Sequence, residues 1–127
     1  HTRLSRVTGV QTCAFRSQKE DISFDQFMGM DLRVGTILEA ERVPKADRLL
    51  KFLVDTGLDK RTIVSGIAEH FSPEEMVGKQ VTVLMNLPPR KIRGVESQGM
   101  LLMAEDADGK LRLMSPEGGA ASGSVIG

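Results

Sequence analysis

The apolar positions of the chain change period part-way along. In SFDQFM, residues 23–28, Phe24, Phe27 and Met28 fall on one face of a single helical turn, because positions three and four apart share a helix face. S-F-D-Q also fits a capping box, with the Ser23 hydroxyl taking a backbone N–H three residues on and Gln26 reaching back. From Asp31 onward apolar and polar residues alternate, the period of a strand with one face in a core. Strands are predicted over roughly 31–42, 48–56, 61–68, 79–86 and 99–105, with weaker ones near 110–114 and 124–126. Gly57 and Asp59 punctuate the second and third. Between the third and fourth, HFSPEEMVGK predicts a short helix: Ser72 as N-cap, Pro73 at its first position, Glu75 completing a second capping box, Gly78 as stop. Asp106-Ala-Asp-Gly109 predicts a hairpin turn. In Pro44-Lys45-Ala-Asp47-Arg48, Asp47 reads as the turn-forming residue.

Three strands, a short helix and two strands is the order of the OB-fold. The expectation is an all-β chain with short helices: a five-stranded OB-fold β-barrel with an N-terminal helix and a C-terminal extension. Residues 1–20 show neither period, and the run VTGVQTCA resembles the translation of a sequencing adapter. Residues 1–22 are therefore expected to be a disordered linker or a non-native leader, and residues 23–127 the domain.

At 127 residues, 40% apolar and 27% charged, the chain has the size and make-up of one ordinary globular domain. No apolar run approaches the roughly 18–20 residues that span a bilayer, and no signal segment opens the chain, so a cytoplasmic address is expected. Lys plus Arg and Asp plus Glu both total 17, yet the charge is unevenly placed. Residues 86–100 hold Arg90, Lys91 and Arg93 against Glu96 alone, whereas residues 19–31 hold Glu20, Asp21, Asp25 and Asp31 against Lys19. A neutral total can hide a basic patch. Cys13 alone forms no internal disulfide, His1 and His70 lie far apart, and no zinc-binding spacing occurs, so no metal or cofactor is expected.

Catalytic motifs fit poorly. Gly94-Val-Glu-Ser97-Gln-Gly99 misses the nucleophile elbow by one residue and lacks its strand-turn-helix setting. Asp106, Asp108 and Glu117 match positions 1, 3 and 12 of a calcium loop, but Leu111 stands where glycine is obligatory. Nucleotide-cradling glycine motifs are missing, and His70 reads as an ordinary surface or half-buried imidazole. A non-catalytic domain is expected.

Residues 86–100, NLPPRKIRGVESQGM, read as a loop between VTVLM and LLMA. Turning the chain requires only glycine and proline, so the surplus groups call for a further reason. Phosphate recognition favours cations already held in place, because ordering flexible side chains offsets part of the gain from counterion release. Pro88 and Pro89 stiffen the entry, Arg90 and Arg93 offer planar forks, and Lys91 a point charge. Asn86, Ser97 and Gln98 offer hydrogen-bonding groups for base edges or ribose 2′-hydroxyls. Met100 offers an apolar face, with a strand-core role an equal account. Singly, each has a plain reading: Asn86 a turn cap, Gln98 solvated, Ser97 bonded to backbone, the cations a soluble tip. Their coincidence in one loop favours a single RNA-facing surface. With five Phe and no Tyr or Trp there are few stacking platforms; Phe52, alternating with Leu50 and Val54, reads as core. A folded, shape-recognised RNA is expected.

Asp31-Leu-Arg-Val-Gly35, Pro44-Lys-Ala-Asp-Arg-Leu49, Ile63-Val-Ser-Gly66, Asn86-Leu-Pro-Pro-Arg-Lys91 and Ser97-Gln-Gly-Met100 together resemble the tRNA-binding domain family, over roughly residues 24–127. The first helix and IVSGIAEH resemble the version appended to the C-terminus of bacterial methionyl-tRNA synthetase. The resemblance implies an OB-fold that holds the tRNA elbow with little sequence preference, through Asn86, Arg90, Lys91, Ser97, Gln98 and Met100; Arg93 joins on charge. It also implies a homodimer, with Phe24, Phe27 and the tail around Val125 and Ile126 as interface candidates. The alternatives are a peptide-binding export chaperone of the same fold and a stand-alone tRNA-binding protein.

Overall fold

The computed structural model describes residues 18–127; the first 17 residues of the linker or leader expected over 1–22, Cys13 included, lie outside these. Residues 18–23 have no regular secondary structure. The first capping box forms: Ser23 Oγ accepts from the Gln26 N–H at 3.0 Å, and Gln26 Oε1 accepts from the Ser23 N–H at 2.8 Å. It opens helix α1 (Phe24–Met28), which buries none of its residues and leaves Phe24 73% exposed.

Strand β1 (Leu32–Val43) is the one around which the barrel winds. Its first half pairs antiparallel with β4 (Gln80–Leu84) and its second half with β2 (Ala46–Asp55), Thr36 belonging to both registers. Strand β2 pairs with β3 (Lys60–Ser65), β4 with β7 (Met100–Glu105) and β7 with β8 (Leu111–Leu113). The path β3-β2-β1-β4-β7-β8, with helix α2 (Pro73–Met76) between β3 and β4, is the OB-like barrel that the alternation predicts. Leu50, Phe52 and Val54, alternating along β2, are fully buried and meet Ile37, Ile63, Met76, Val81 and Val83 in one core. At Gly35, β1 passes so close to its neighbours that a Cβ would lie 2.7 Å from Val54 Cγ1 and 3.0 Å from Val83 Cγ2.

The second capping box and the loop over residues 86–100 differ from expectation. Ser72 makes no side-chain cap of α2; its hydroxyl donates to Glu75 Oε2 at 3.3 Å, and the single turn is held by the burial of Pro73 and Met76. Residues 86–100 are more than a loop, for they contain a hairpin of β5 (Arg90–Ile92) and β6 (Val95–Ser97). Three-residue strands are too short for alternation to show. Their turn, Arg93-Gly94, has φ of 54° and 82°, the type I′ geometry usually marked by Asn-Gly; arginine at its first position hides that signal.

The C-terminal segment straps the barrel. Val34 donates its N–H to Ser124 O at 2.9 Å, Gly123 donates to Val34 O at 2.7 Å, and β9 (Val125–Ile126) pairs with Leu32 and Arg33. The edge of β1 that β2 has left is thereby covered. At the β2–β3 turn, the buried Thr56 hydroxyl donates to Asp59 Oδ1 at 2.7 Å, Arg61 Nε donates to the same oxygen at 3.0 Å, and Arg61 Nη1 donates to Met85 O at 2.8 Å. The Thr56 hydroxyl, then the Arg61 charge, hold the Asp59 carboxyl below its ordinary value of 3.8. A depressed folded-state value means that the unfolded chain binds the proton more readily, so this contribution is present above 3.8 and is lost as pH falls through the folded value. Asp59→Asn is accordingly expected to shallow the loss of stability in that acid window, measured by urea unfolding at a series of pH values.

Candidate nucleic-acid interface

Ile63 points into the barrel, so its neighbour Val64 points out. That outward face is covered: Val43, Ala46 and Val64 form a second buried cluster, against which Leu49, Ile92 and Val95 pack. The β5–β6 hairpin therefore lies over the outside of β3, beside the turn that joins β1 to β2. That turn is Pro44-Lys45, closed by the pairing of Val43 with Ala46. Asp47, expected to form it, is an exposed residue of β2 instead. Lys45 has φ of 64°, the left-handed conformation that glycine or asparagine ordinarily fills after proline in such a turn.

The chain leaving the hairpin closes the barrel with side chains in place of a regular ladder. Val64 donates its N–H to Ser97 Oγ at 3.0 Å, Gln98 donates its N–H to Thr62 O at 2.8 Å, and Thr62 donates its N–H to Gln98 Oε1 at 3.3 Å. Ser97 is only 4% exposed. It forms part of the wall of a cleft of about 260 Å³ bounded by Gly66, Leu87, Pro88, Arg90 and Met100. Arg90 faces Ser97 across the hairpin and so shares the cleft side, whereas Lys91 faces Glu96 on the opposite, solvent side. Arg93 sits at the tip, and Met100 is 43% exposed at the start of β7.

The predicted site residues thus divide. Arg90, Lys91 and Arg93 are exposed on one short hairpin, with Gln98 and Met100 beside it. Asn86 is exposed, but its Oδ1 accepts from the Asp31 N–H at 2.9 Å and its Nδ2 donates to Gly29 O at 2.6 Å, tying the end of α1 to the end of β4. Ser97 is turned inward. Both polar groups are spent within the fold.

Some of the surface cations are held in ion pairs, while Arg42, Lys60, Lys79 and Lys110, like those of the hairpin, make none among the described residues. Arg33, Arg48, Arg61 and Arg112 lie 2.8, 3.4, 3.0 and 3.3 Å from Asp31, Glu69, Asp59 and Asp106 respectively. Among the described residues, no carboxylate pairs with Arg90, Lys91 or Arg93. An anion arriving at any one of these has no internal ion pair to displace, so the attraction is not offset by one.

The sequence profile of the family described as "Putative tRNA binding domain" matches residues 32–125. The methionine–tRNA ligase of Porphyromonas gingivalis is 61% identical over 107 residues, which are 84% of this chain and 16% of the ligase. That of Flavobacterium psychrophilum is 63% identical over 110 residues, which are 86% of this chain and again 16% of the ligase. Among solved structures, a protein related to methionyl-tRNA synthetase from Pyrococcus horikoshii superposes with a TM-score of 0.80 at 40% identity, over 85% of this chain and 99% of its own. The chaperone CsaA of Bacillus anthracis gives 0.77 at 27% identity, over 85% of this chain and 100% of its own.

Proposed function

This chain belongs to the tRNA-binding domain family, and from that premise we propose that it is a non-catalytic domain, residues 23–127, that holds folded tRNA for a methionine–tRNA ligase to which it is appended. The observation that carries this reading is the set of three cations without internal partners, Arg90, Lys91 and Arg93, on a hairpin fastened to the barrel by Ile92 and Val95. Met100 and the amide of Gln98 flank them. Asn86 and Ser97 contribute by positioning: one fixes the start of the 86–100 segment, the other its return. Tethering tRNA raises its effective concentration at a remote active site without adding any contact there. A cytoplasmic address follows from that role.

The test is the salt dependence of binding to bulk tRNA. Arg90→Ala combined with Lys91→Ala is expected to weaken binding about tenfold near 0.1 M salt and to flatten the slope of log K against log salt by about one to two units. An unchanged slope would move both cations off the RNA surface. The apolar lining of the cleft, Leu87, Ile92 and Leu101, favours a second reading as a peptide-binding chaperone. Preferential capture of unfolded polypeptide over tRNA in direct competition would select it.

Homodimerisation belongs to the same proposal. Phe24, Met28, Met30 and Val125 are 73%, 62%, 45% and 72% exposed, and Phe27, Met28, Val125 and Ile126 line one cleft. A contiguous apolar surface of this kind marks an interface. Phe24→Ser with Val125→Ser is expected to convert dimer to monomer in sedimentation equilibrium while the circular dichroism of the barrel is unchanged.

A further inference from the structure

The strand path of the barrel ends on β3 at one side and on β8 at the other. The outer edge of β3 is closed by the bonds that Ser97 and Gln98 make to Val64 and Thr62. Nothing comparable reaches β8, which pairs only with β7 among the described residues. Bonded and non-bonded pairs alternate along an antiparallel ladder. Asp106 donates its N–H to Lys110 O at 3.0 Å, so Ala104 and Arg112 form the next bonded pair, and Leu111 and Leu113 turn their N–H and C=O groups to the outer edge. That edge borders a groove of about 540 Å³, whose other side is residues 69–71 and Glu75 of α2. Leu111, Leu113 and Phe71 pack against the core and give the groove an apolar floor. Lys110 and Arg112 are exposed along its β8 side.

The geometry points to this edge as the docking site for an extended, acidic segment of a partner protein, added to the barrel as a strand beside β8. A strand added in this way takes its main-chain bonds from the edge and its selectivity from alternate side chains. Beside Leu111 and Leu113 the incoming strand presents apolar residues, and beside Lys110 and Arg112 it presents carboxylates, because opposite charges facing each other across a ladder attract. The acids lie across the groove and are engaged: Glu69 is 3.4 Å from Arg48, and Glu75 accepts from the Ser72 hydroxyl at 3.3 Å. On the edge itself Arg112 is paired with Asp106, while Lys110 has no ion-pair partner among the described residues. The same charge argues against a second copy of this chain as the occupant. Antiparallel pairing of β8 with its own copy, centred on Arg112, would set two like charges directly opposite each other. A cation on an open edge therefore excludes identical chains and selects an acidic strand. Such docking does not require the tRNA-binding reading, since the groove shares no residue with the cleft beside the basic hairpin.

The probe is a capped peptide of about seven residues that alternates valine and glutamate, with the valine–lysine peptide as control. Each is added to the 127-residue chain, and amide hydrogen exchange is followed residue by residue by NMR. In excess valine–glutamate peptide, exchange at Leu111 and Leu113 is expected to slow about fivefold, whereas the valine–lysine peptide leaves it unchanged. Lys110→Glu, at an exposed position, is expected to reverse that preference. If neither peptide slows exchange at the two leucines, the docking site is refuted and Lys110 and Arg112 only guard a bare edge. Protection confined to the cleft beside the basic hairpin would overturn it too, by assigning the peptide there. So would protection of Leu111 and Leu113 that rises with protein concentration and needs no peptide, which would give the edge to a second copy.

Discussion

Gly35→Ala is expected to destabilise the domain by about 3 kcal/mol, the upper part of the range for forcing a methyl group into a filled core. The new Cβ would sit 2.7 Å from Val54 Cγ1 and 3.0 Å from Val83 Cγ2. Both valines are fully buried, and a β-branched side chain has few rotamers into which it can retreat. Relief would require β1 to move away from β2 and β4 at once, and Gly35 stands next to Thr36, which is paired to both. The measurement is urea unfolding of the variant against the parent. A loss below about 1 kcal/mol would show that the valines yield and that the crossing is looser than its geometry implies.

Ser97→Ala should cost about 2 kcal/mol, because it strips the acceptor from the buried Val64 N–H and leaves that donor without a partner. The same substitution is expected to leave tRNA affinity within about twofold at a temperature where both proteins remain folded, since the hydroxyl is turned away from solvent. The opposite pattern, a tenfold loss of affinity with stability unchanged, would return Ser97 to the RNA surface where its motif suggests it belongs. Stability and affinity measured on one variant thus separate a residue that closes the barrel from one that touches the ligand.

The alternation from Asp31 onward determined the barrel: every strand of the main sheet falls on a stretch that it marks, and Phe52, Leu50 and Val54 are buried as their spacing requires. The Ser23–Gln26 capping box likewise follows from four consecutive residues and forms as written. Such features rest on neighbours a few positions apart, whose geometry is set by the backbone period itself. The basic segment around Arg90 and the motifs that resemble the family were also legible, since charge and order are properties of the string.

Where each polar group points was decided only by the folded chain. Ser97 turns inward because Val64, 33 residues earlier, needs an acceptor at an edge that no strand covers. Asn86 is occupied because Asp31, 55 residues earlier, and Gly29 present an N–H and a carbonyl at the end of β4. The turns that carry Lys45 and Arg93 become neighbours in space because four apolar residues around them pack together. These pairings join segments far apart in sequence, and a hydrogen-bonding group takes whichever partner the tertiary fold leaves within reach, a choice that no local pattern encodes.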